Sequence, residues 1–118
     1  MIAVIFEFTP KAGKFDDYYA LAQGLNEEVR KFDGFISIER FESINNKGKF
    51  VSLSFWRDEA AVKNWRNVQQ HREAQKHGRK TIFGSYRLRI ASVIRDYEMD
   101  KREQAPEDSR SFHGGVHG

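Results

Sequence analysis

The sequence contains no cysteine. That excludes a disulfide-stapled scaffold, a thiolate zinc site and a cysteine nucleophile, and it fits a reducing compartment. No apolar run approaches the ~20 residues of a membrane span, and the first residues lack the basic start and cleavable apolar stretch of a signal peptide. The expected location is therefore the cytoplasm, with no membrane partner. Neither a phosphate-binding glycine loop nor a serine-hydrolase elbow occurs. Charge of one sign is also scarce as a block. The 20 basic and 17 acidic side chains leave a net +3. Arg72, Lys76, Arg79 and Lys80 form the one dense basic region, which reads as an ordinary solvated face rather than a nucleic-acid footprint.

What the chain does have is rings. Ten phenylalanines, four tyrosines and two tryptophans in 118 residues are enough for one sizeable core, since each ring can remove roughly 150–250 Å² from water. One domain is expected over residues 1–97. A polar tail, residues 98–118, has too few apolar side chains to pack as an element and is read as mobile. Within that tail His113 and His117 are four apart, but the glycines between them oppose a helix, so no metal site is expected.

The segment MIAVIFEFT alternates so that Ile2, Val4, Phe6 and Phe8 share one face and Ala3, Ile5 and Glu7 the other, the pattern of a central strand. After the turn residues Pro10 to Gly13, Tyr18, Ala22, Leu25, Val29 and Phe32 recur at helical spacing. Asp16 and Asp17 lie in the first turn of that helix and Arg30 and Lys31 in its last, and Gly34 is placed to end it. Phe35 to Ile44 reads as a strand in which Ile36 and Ile38 share one parity and Phe41 takes the other, which predicts a bulge or bend. Asn45 to Gly48 is a hairpin turn. A third strand follows over Phe50 to Trp56, with Val51, Leu53 and Phe55 alternating against Ser52, Ser54 and Trp56; the two serines read as outward-facing. Asp58 is placed to cap a second helix carrying Ala61, Trp65 and Val68, with Gly78 and Gly84 bracketing its end. Tyr86 to Tyr97 completes the pattern as an unusually long strand.

The order strand, helix, strand, strand, helix, strand predicts an α+β, ferredoxin-like βαββαβ sandwich with an antiparallel sheet and both helices on one face. Large apolar groups on both parities of several strands predict a second copy on the bare face. The expected assembly is a homodimer closed as a dimeric α+β barrel.

Two kinds of residue stand out. Trp65 lies on the stripe of the second helix and His71 at its edge, where a neutral imidazole can move a proton near physiological pH. His71 and His77 are six residues apart, about 120° around a helix, so they do not chelate one metal. Glu7 is a lone carboxylate in an apolar strand: facing a closed cavity it would be a base, and otherwise it pairs with an arginine such as Arg87 or Arg89.

The stretch SLSFWRDEAAVKNWRNVQQHREAQKHGR followed by YRLRIASVIRDY resembles the antibiotic biosynthesis monooxygenase domain, and the likeness runs over roughly residues 1–97. The residues that carry it are Phe55-Trp56 at a strand end, the acidic helix start, Trp65, His71 and the closing Arg-Asp-Tyr. The resemblance implies a homodimer of ferredoxin-like units, each with a cavity between sheet and helices. Some members oxidise aromatic polyketides with molecular oxygen and no cofactor; others bind haem and open its ring. The haem branch has an asparagine late in the first strand and an axial histidine ten residues after the helix tryptophan. Here the first strand has no asparagine there, and Gln75 stands at the histidine's place. The expected function is therefore a cofactor-independent monooxygenase acting on an aromatic or quinone-forming small molecule. Its candidate residues are His71 and Glu7 as catalytic groups and Trp65, Tyr86 and Gln75 as substrate-binding groups. The alternative is a barrel that binds haem or another small molecule without turnover.

Overall fold

A computed structural model describes residues 1–76 and 82–113, and for residues 70–76 and 111–113 it describes the backbone alone. The elements are β1 (Ile2–Pro10), α1 (Phe15–Val29), β2 (Phe35–Glu42), β3 (Phe50–Trp56), α2 (Glu59–Lys76), β4 (Phe83–Ser92) and a short α3 (Glu107–His113). The four strands form one antiparallel sheet in the order β2-β3-β1-β4. This is the α+β, ferredoxin-like arrangement expected from the order of elements.

Strand alternation decides which side chains meet the helices. Ile2, Val4, Phe6 and Phe8 of β1 pack with helical residues, so Ala3, Ile5 and Glu7 face the other way. Register then carries the assignment across the sheet. Ser52 lies opposite Phe6 and Ser54 opposite Val4, which puts Phe50, Ser52, Ser54 and Trp56 on the helical side and Val51, Leu53 and Phe55 on the bare side. The expectation that the two serines point outward is thus corrected.

The core has two aromatic poles. At one, Val29, Trp56, Ala61, Val62 and Trp65 are buried together, with the Trp65 ring 5.3 Å from Phe32 and 6.4 Å from Trp56. At the other, Phe8, Tyr18, Ala22 and Ile82 are buried with Phe6, Phe50 and Phe83 around them, the Phe8 and Tyr18 rings 4.5 Å apart. Helix α1 contributes its second half to the first pole and its first half to the second. That division is why its stripe is so long.

Several boundaries differ from the sequence reading. α1 ends at Val29, so Arg30 and Lys31 fall in the following turn, where their amides bond back to Asn26, Glu28. Gly34 ends no helix; it takes φ +87° where the chain passes α2, and a Cβ there would sit 2.5 Å from the Cβ of Ala61. The irregularity in β2 lies at its start: the register shifts between Phe35 and Ser37 and leaves Ile36 half exposed. Ile38 and Phe41 then face opposite sides as ordinary neighbours in a strand. β4 begins at Phe83, with Gly84 inside it, and ends at Ser92 rather than Tyr97. Asp58 caps α2 as expected, its Oδ1 accepting the Ala61 amide at 2.9 Å. The tail holds α3 and a buried Ala105. His77, Gly78, Arg79, Lys80 and His117 lie outside the described residues, as do the side chains of Arg72 and Lys76.

Candidate functional site

Between the two poles the helical side of the sheet carries small residues. Ser52 and Ser54 on β3 stand where neighbouring positions carry Phe50 and Trp56, and Ala22 faces them from α1. The space they leave is a cavity of about 310 Å³, lined by Val4 and Phe6, by Tyr18, Leu21 and Leu25 of α1, and by Val62, Trp65, Arg66 and Gln69 of α2. Ile38 and Arg40 of β2 and Tyr86, Leu88 and Ile90 of β4 complete it. Trp65 therefore has both roles weighed from the sequence: its ring is buried at the first pole and its surface walls the cavity. Tyr86, on the edge strand, lines the cavity while remaining 63% exposed.

Glu7 stands apart from this space. It is on the bare face, with its carboxylate 3.4 Å from the Arg89 guanidinium and 3.7 Å from Lys49, so it is no base for the cavity. The backbones of His71 and Gln75 lie in α2, and their side chains lie outside the described residues.

Three polar residues in the wall were not singled out from the sequence. Ser54 accepts a hydrogen bond from Trp56 Nε1 at 2.9 Å and is 6% exposed. Tyr18 has a buried hydroxyl with no aligned hydrogen-bond partner. Burial pushes its pKa above the ordinary phenol value, and the positive charge of nearby Arg40 opposes that rise without cancelling it. Arg40 donates from one Nη to Asn26 Oδ1, and its Nε is buried without a partner. A signal for Arg40 existed: it shares parity with Ile38 in β2, a cation on an inward-facing row. Reading it required knowing where the bulge lies.

Haem iron is held by histidine, cysteine, methionine or tyrosine. The described lining supplies only Tyr18, whose hydroxyl is kept protonated by burial, and the exposed Tyr86. The described lining thus contains no histidine, and the side chains of His71 and Gln75 lie outside the described residues. Among the described residues no group of three histidine, cysteine or acidic side chains is placed to hold a metal ion, and no helix is long and apolar enough to cross a membrane.

Comparison with known proteins bears on the same region. The family model for antibiotic biosynthesis monooxygenase matches residues 1–77. The protein named jasmonate monooxygenase ABM from Pyricularia oryzae is 40% identical over 106 residues, covering 87% of this chain and 49% of that protein. The chain thus spans about half the length of this relative. Among solved structures, Rv0793 from Mycobacterium tuberculosis has a TM-score of 0.70 at 18% identity, covering 82% of this chain and 98% of that one. A variant of MhuD with two manganese protoporphyrin IX bound per active site has a TM-score of 0.68 at 14% identity, covering 83% and 99%. At such identities the two structures speak for the fold alone.

Proposed function

The chain belongs to the antibiotic biosynthesis monooxygenase family, and from that premise we propose that it is a monooxygenase acting on an aromatic or quinone-forming small molecule, without a metal or organic cofactor. The observation that carries this reading is the cavity itself: about 310 Å³, walled by Trp65, Phe6 and aliphatic side chains, and set between the sheet and its helices. A pocket of that kind takes a small ring compound between apolar walls, with its polar edge reached from the β4 side.

The chemistry needs little from the protein. A ring CH₂ activated by a neighbouring carbonyl, or a phenol with a free para C–H that becomes a quinone with loss of water, loses a proton to a base, and the electron-rich anion passes an electron to oxygen. For the CH₂ case the balance is CH₂ + O₂ → C=O + H₂O, in which the substrate supplies every electron and no outside reductant enters. His71 is the proposed base, with Trp65 as the ring platform and Tyr86 as a hydrogen-bond donor at the open edge. Gln75, one turn beyond His71 on α2, is a further proposed substrate contact.

The proposed working unit is a cytoplasmic homodimer. Ile5, Val51, Leu53 and Phe55 form an apolar row on the bare side of the sheet, and a second copy of the same row covers it economically.

An oxygen electrode tests the reading with a panel of anthrones and naphthols that have a free para position. Uptake by the wild type that disappears in His71→Ala supports it. If every compound binds without uptake, the protein is a binding barrel and not an oxygenase.

A further inference from the structure

The cavity has one polar end. Arg40 and Tyr18 meet there, the guanidinium close enough to the hydroxyl to favour its ionised form, and the Arg40 Nε and the Tyr18 hydroxyl are both buried without an aligned hydrogen bond. Ser52 lies directly across from Arg40 in the β2–β3 register, adding a hydroxyl on the same side of the sheet. The second Arg40 contact, Asn26, is neutral. Among the described lining residues Arg40 and Arg66 carry charge, and no aspartate or glutamate accompanies them. Glu39 and Glu42 of β2 line the outer groove on the other side of Arg40, but neither forms an ion pair with it among the described residues, and Glu42 accepts the Gly48 amide at 3.0 Å. An unpaired guanidinium edge and an unpaired hydroxyl in an apolar space are unfavourable unless something arrives to accept from them.

A second, outer groove of about 400 Å³ shares Tyr18, Ala22, Ile38 and Arg40 with the cavity. The Arg40–Tyr18 pair therefore stands in the partition between the two spaces, not at a dead end.

We infer that this end is a carboxylate subsite: the ligand is an otherwise apolar, ring-bearing organic acid whose carboxylate accepts from Arg40 Nε and the Tyr18 hydroxyl while its ring lies toward Trp65. A carboxylate suits the site better than a neutral carbonyl, because it neutralises a charge that the protein leaves open in the resting state. It suits it better than a phosphate, which in protein sites draws on more donors than these two. The inference rests on the cavity being the substrate site proposed above, but it requires binding only.

The test is isothermal titration calorimetry at neutral pH with 2-naphthoate and 2-naphthamide, which share a ring and differ in charge. The wild type is expected to bind naphthoate about tenfold more tightly than naphthamide, the scale of one charge-assisted hydrogen bond. Arg40→Gln should bring the ratio to about one while naphthamide binding persists, and Tyr18→Phe should lower it by a smaller factor. Equal wild-type affinities, no heat with either compound, or a ratio that survives both substitutions would overturn the subsite. If Arg40→Gln does not fold, the wild-type ratio and Tyr18→Phe decide. Discrimination without any oxygen uptake keeps the subsite and sinks the oxygenase. Oxygen uptake from neutral rings without discrimination does the reverse.

Discussion

The indole Nε1 of Trp56 donates to Ser54 Oγ at 2.9 Å, between two residues that follow one another on the same face of β3. The bond lets a tryptophan be fully buried at one pole while the residue beside it stays small enough to leave the cavity open. In Ser54→Ala the indole N–H loses its acceptor in a dry environment, at a cost of about 1–3 kcal/mol. Urea unfolding of the variant, followed through the tryptophan signal, should show that loss; an unchanged midpoint would mean that the indole finds another acceptor.

Ser52 stands mid-cavity, between Phe6 and Arg40 in register. Ser52→Leu places a branched side chain in empty space, so the fold should keep or gain stability while ligand affinity falls at least about tenfold. Thermal unfolding and naphthoate calorimetry on the same sample check both halves. Unimpaired binding would show that the ligand lies elsewhere.

Burial raises the Tyr18 pKa above its unfolded value of 10.0. Between the unfolded and folded values the native state holds a proton that the unfolded chain has released. The contribution of this group to stability is therefore complete below the unfolded value and is lost as pH rises through the folded one. Thermal unfolding from about pH 8 to about pH 11 should show an alkaline decline that is shallower in Tyr18→Phe. Identical slopes in the two proteins would leave Tyr18 without a part in the decline.

Leu53 sits in the centre of the bare face, beside Ile5 in register. A charge there leaves the single subunit wettable but cannot be buried against a second copy. Wild type should sediment as a dimer at low micromolar concentration and Leu53→Asp as a folded monomer. A monomeric wild type would remove the barrel from the account.

The residues of α1 and β1 show how far the sequence carried. Four apolar positions, Tyr18 to Val29, at spacings of four, three and four leave a helix one way to lie, and the Ile2-to-Phe8 alternation leaves a strand one buried side, so these elements were legible without a structure. Asp58 as a cap followed from local chemistry alone. β2 and β3 were harder for a reason of parity. A strand with apolar side chains on both rows does not announce which row meets the helices, and the row with Val51, Leu53 and Phe55 looks the greasier of the two. Glu7 belongs to the same difficulty: whether its carboxylate meets a cavity or an arginine depends on a face that composition does not reveal.

The sequence by itself determined the four strands, the two long helices, their order and the ferredoxin-like sheet, because hydrophobic period and turn chemistry are properties of neighbouring residues; it did not reveal α3 in the polar tail. Only the tertiary structure decided that the serine row faces inward, that Arg40 and Tyr18 converge, and that the space between two aromatic poles is empty. Those facts arise where residues distant in the chain meet across the sheet, and the register of β3 against β1 and of β2 against β3 sets which of them do.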